Sequence, residues 1–147
     1  MYGLLIQCCQ HVRLTGMTVR QANPLLSQDF HIPFDAISAE HVEPGIKDAI
    51  VSAREAVDAV INLDAPRTFE NTILALDDAL EGLSRAVGIA YHLMSVENHP
   101  ELRQAFNTVL PEFSAFYAEL PLNDALWQAV KQYADSPEAA TLTGVHK

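Results

Sequence analysis

Apolar side chains recur at steps of three and four residues along most of the chain, and nowhere do they alternate. Val42, Ile46, Ile50, Ala53, Val57 and Val60 form the first such stripe. Ile73, Leu76, Leu80, Leu83, Val87, Tyr91 and Met94 form the second. Leu102, Phe106, Val109, Phe113, Phe116 and Leu120 form the third, and Leu126, Ala129, Val130 and Tyr133 a shorter fourth. That period is one face of an α-helix, whereas a strand with one wet face would alternate. The spacing predicts an all-α chain of long antiparallel amphipathic helices, bundle-like, with no repeat of fixed period.

Local chemistry punctuates the stripes. Ser38 and Thr68 are cap candidates with Glu40 and Glu70 in the first turns, where the helix dipole favours a carboxylate. Pro44 is expected to mark a short first turn followed by a restart. Asn62, Asp64 and Pro66 close the first helix, and Asn98-His99-Pro100 the second. Pro111 is expected to interrupt and kink the third. Asn123 caps the fourth, and Asp135-Ser136-Pro137 precedes a further element. Gly82 and Gly88 inside the second helix suggest close helix–helix approach or local bending. Residues 1–21 lack the periodicity, and Met17 offers a second start, so they are expected to be a disordered or spurious extension. An extended arm follows, its Leu25, Leu26, Phe30, Ile32 and Phe34 expected to lie on the helices.

Charge and cysteine usage narrow the function classes. Nine basic against nineteen acidic residues give a net charge of −10. Phosphate backbones and anionic lipid repel such a chain. The two cysteines, Cys8 and Cys9, are neighbours, a strained arrangement for a disulfide, and no C-x-x-C pair exists. A reducing, cytoplasmic setting fits. No apolar run approaches the roughly 20 residues that span a bilayer.

The residues yield no catalytic, cofactor-binding or metal site. None of the six histidines is followed by Glu, so H-E-x-x-H is absent, and H-x-x-E-H fails as well. His92, Glu97 and His99 are the nearest approach to a ligand set, and a metal centre needs more converging groups. Ser84 in Gly82-Leu83-Ser84-Arg85-Ala86 misses the nucleophile elbow and lies mid-helix. Asp77 and Asp78 are neighbours that point apart on a helix, so they make no acid/base dyad. Phe106, Phe113, Phe116 and Tyr117 follow helical spacing and read as core rather than as a ligand cage.

An ordered set of short motifs nevertheless resembles one family. Asn23-Pro24-Leu25-Leu26, Pro33-Phe34-Asp35-Ala36-Ile37 and Glu40-His41-Val42-Glu43-Pro44 are similar to the opening of the thimet oligopeptidase / oligopeptidase A zinc metallopeptidases. Thr68-Phe69-Glu70-Asn71-Thr72, Tyr91-His92-Leu93-Met94-Ser95-Val96, Pro100 to Asn107 and Leu110-Pro111-Glu112-Phe113-Ser114 continue the resemblance in register. It covers residues 22–147. What it implies is an N-terminal helical segment of a longer all-helical enzyme that hydrolyses short peptides. In that family zinc sits on a downstream H-E-x-x-H helix, and this region walls part of the substrate channel. The implied partner is the downstream catalytic portion, and the chain alone is expected to be inactive. Leu142 to Lys147 resembles a family interior where a further helix runs on, so truncation is expected. Two other readings stand beside this one: an autonomous helical interaction module, and a small helical enzyme or metal binder built on His92, Glu97 and His99. The stripes also predict an apolar face left open, with Leu76, Leu83, Val87, Phe106 and Phe113 critical to it.

Overall fold

A computed structural model describes residues 23–97 and 99–143. The expectations for residues 1–21 and for the last four residues lie outside this range. The described residues hold five α-helices and no strand: α1 (Ala39–Ile61), α2 (Ala75–Glu97), α3 (Pro100–Glu119), α4 (Asp124–Ala134) and α5 (Pro137–Thr141). The all-α expectation is met.

α1 is the central element. It packs along both α2 and α3, which touch each other less than either touches α1. Its whole expected stripe is buried, with Val42 and Ile46 fully so. Against it lie Leu83, Ala86, Ala90 and Leu93 of α2, and Leu102, Phe106, Val109 and Phe116 of α3. Ion pairs reinforce the α1–α3 contact, Lys47 to Glu112 at 3.3 Å and Arg54 to Glu119 at 2.8 Å. Both pairs are half-exposed, so each adds little to stability. Glu43 and Glu112 raise the pKa of Lys47 above its ordinary value. That contribution is therefore present below the unfolded pKa and fades as pH rises past it.

The caps read from sequence are in place. Ser38, Thr68 and Asn123 are N-caps, and Asn123 Oδ1 accepts from the Leu126 amide at 3.1 Å. Ser136 caps α5 in the same way.

Several expectations need correction. α1 runs unbroken through Pro44 and α3 through Pro111. Each proline lies on the exposed side, where water can take the carbonyl it leaves unpaired. The second helix opens with a wide π-turn, Phe69–Leu74, in which the Ala75 amide reaches back five residues to the Glu70 carbonyl. The extra residue rotates the helix beyond it. Of the expected stripe, Leu83 is buried and Leu80, Val87 and Met94 pack against the core, while the most buried face adds Ala86, Ile89, Ala90 and Leu93. Ala86 and Ala90 let the backbone approach α1, a role that counting large side chains hides. Tyr91 is 58% exposed, and Leu76 is only partly covered. The arm is tied down by Leu25, which is 1% exposed, with Leu26 and Ile32 packed beside it; Phe30 is 93% exposed, its ring edge-on to that of His31.

The glycine reading also inverts. A Cβ at Gly82 or Gly88 would meet no atom within 4 Å, so neither serves close packing. Gly45 does: a Cβ there would lie 2.8 Å from Asn23 Nδ2 and 3.0 Å from Leu25 Cδ2. Gly82→Ala and Gly88→Ala should each stabilise the chain by about 1 kcal/mol, through helix propensity alone. Thermal melts of the two variants would show it as rises of roughly 3 °C each. A fall would mean that these positions need a glycine backbone.

Candidate functional site

The residues singled out for chemistry do not converge. His92 is exposed on α2, its ring 5.5 Å from that of Phe34. His99 caps α3, with Nε2 3.9 Å from a Glu97 carboxylate oxygen. Phe34 thus stands beside one histidine and Glu97 beside the other. Among the described residues no three His, Cys, Asp or Glu side chains come together as a ligand set. Zinc would need about three protein donors, so the residues described here do not fit it. Ser84 is exposed on α2 and hydrogen-bonds Tyr117 rather than a base. Burial against α2 raises the pKa of Tyr117, partly offset by that serine. Asp77 and Asp78 are both exposed in the first turn of α2.

The hollow between α1 and α2, about 360 Å³, is lined chiefly by Leu26, Ala49, Ala53, Ala79, Gly82 and Leu83. Its walls are mostly apolar, with Gln28, Ser52 and Asp78 as the polar members and no histidine or cysteine among them.

The motif residues instead act as fasteners. Asn23 donates from Nδ2 to the His41 carbonyl at 2.8 Å and accepts from the Leu25 amide at 3.0 Å, pinning the arm to α1. Arg85 fastens the same arm to α2, donating to the carbonyls of Ser27 at 3.3 Å and Asp29 at 2.8 Å. In Thr68-Phe69-Glu70-Asn71-Thr72, the Asn71 side chain accepts from the Thr68 amide at 2.8 Å and donates to the Pro66 carbonyl at 3.0 Å. Thr72, fully buried, donates its hydroxyl to Asn71 Oδ1. The Phe69 amide donates to the Glu138 carboxylate at 3.2 Å, which ties the π-turn to α5. Arg67 donates to the Val60 and Ile61 carbonyls, closing the C-terminus of α1.

Sequence reasoning passed over Arg67 and Arg85. Their partners are backbone carbonyls, which no residue pattern displays. Removing the Arg67 guanidinium should cost about 2 kcal/mol, since it leaves two terminal carbonyls without their charged donor. Arg67→Ala should melt roughly 6 °C lower, with Arg67→Lys in between. An unchanged melt would show that water replaces the clamp.

Fold and fasteners together define a helical scaffold segment: a fixed arm, a central helix, and capped helices stacked on it. Residues 46–147 match the family model for the N-terminal domain of neurolysin and thimet oligopeptidase. The chain is 36% identical over 125 residues to oligopeptidase A of Salmonella typhimurium and 35% identical to that of Escherichia coli. Each alignment takes in 85% of this chain and 18% of the relative. A probable cytosolic oligopeptidase A of Arabidopsis thaliana is 31% identical over 83% of this chain. No solved structure matches the chain. The chain belongs to the neurolysin/thimet oligopeptidase family and corresponds to its N-terminal portion. It spans under one fifth of the length of these bacterial relatives.

Proposed function

We propose that this chain is the N-terminal helical segment of a zinc-dependent oligopeptidase that hydrolyses short peptides in the cytoplasm. On this reading it supplies scaffold, forming part of the wall of the channel that leads peptides to the catalytic centre. Zinc and the reacting groups belong to a downstream catalytic portion, which is its partner. The observation that carries the reading is the family match over residues 46–147, joined to a share of 18% of the relatives' length. The fasteners support it, because they spend the motif residues on fixing backbone rather than on meeting substrate.

A second reading, an autonomous helical interaction module, draws on one observation. The described helices close a continuous core around α1, and Ser38 and Asn123 cap α1 and α4. The nucleotide sequence beyond the Lys147 codon separates the two. The peptidase reading expects an open frame that reaches H-E-x-x-H. A stop codon directly after Lys147 in the native gene would overturn it in favour of the module.

A further inference from the structure

We draw no further inference here: the strongest candidate, the mostly apolar hollow of about 360 Å³ between α1 and α2 that Leu26, Ala53, Gly82 and Leu83 line, carries nothing, because nothing in the structure shows what covers it.

Discussion

Phe116→Ala should lower the unfolding free energy by about 4 kcal/mol, in the range found when a buried phenylalanine is truncated to alanine. Phe116 is 2% exposed and lies on the α1-facing side of α3. The Arg54 guanidinium sits 5.1 Å above its ring and reaches on to Glu119 at 2.8 Å. Removing the ring therefore opens a cavity and withdraws the surface on which the Arg54 stem and charge rest. A domain of this size has only about 5–15 kcal/mol of stability to lose. The melt should fall by roughly 12 °C. Phe116→Leu should recover more than half of the loss, because most of the volume is restored. A fall under about 3 °C for the alanine variant would mean that α3 does not pack on α1 as described.

Gly45→Val should cost about 3 kcal/mol, near the upper end of the penalty for overpacking. Taken alone, helix propensity predicts the opposite sign, since glycine is the weaker helix former. Packing decides. A Cβ would come within 2.8 Å of Asn23 Nδ2, and that atom is held by the His41 carbonyl. It would also come within 3.0 Å of Leu25 Cδ2, on a side chain that is 1% exposed. The arm should detach while α1 to α4 stay folded. Limited proteolysis should then cut within residues 23–37 in the variant and spare them in the parent chain. A variant as stable and as protease-resistant as the parent would show that the arm does not lie against Gly45.

How far the sequence reveals this structure depends on the range of each interaction. The stripe of α1 is legible because its six positions share one face of a regular helix over about five turns, and all six are buried. The caps Ser38, Thr68 and Asn123 are legible because their partners lie within three residues. α2 is legible in part. Leu80, Leu83, Val87 and Met94 of its stripe meet the core, but Ala86 and Ala90 are buried there too without looking hydrophobic enough to count. Pro44 and Pro111 mislead because a proline on a wet helix face costs less than one in a buried turn. Gly45, Arg67 and Arg85 are not legible at all. Arg85 meets a carbonyl 58 positions earlier in the chain, and Gly45 matters only because Asn23 folds back over it. The motifs of the family resemblance were legible as a set, yet their work as fasteners was not. That work is done through backbone atoms common to every residue.

The central claim is that this chain supplies framework to a peptidase and not its reacting groups. The most direct measurement is hydrolysis of a fluorescence-quenched peptide by the purified 147-residue chain, with zinc supplied and with a chelator added. The account predicts a rate equal to that of buffer in both conditions and no zinc retained after dialysis. Cleavage that rises with zinc and stops with the chelator would contradict it.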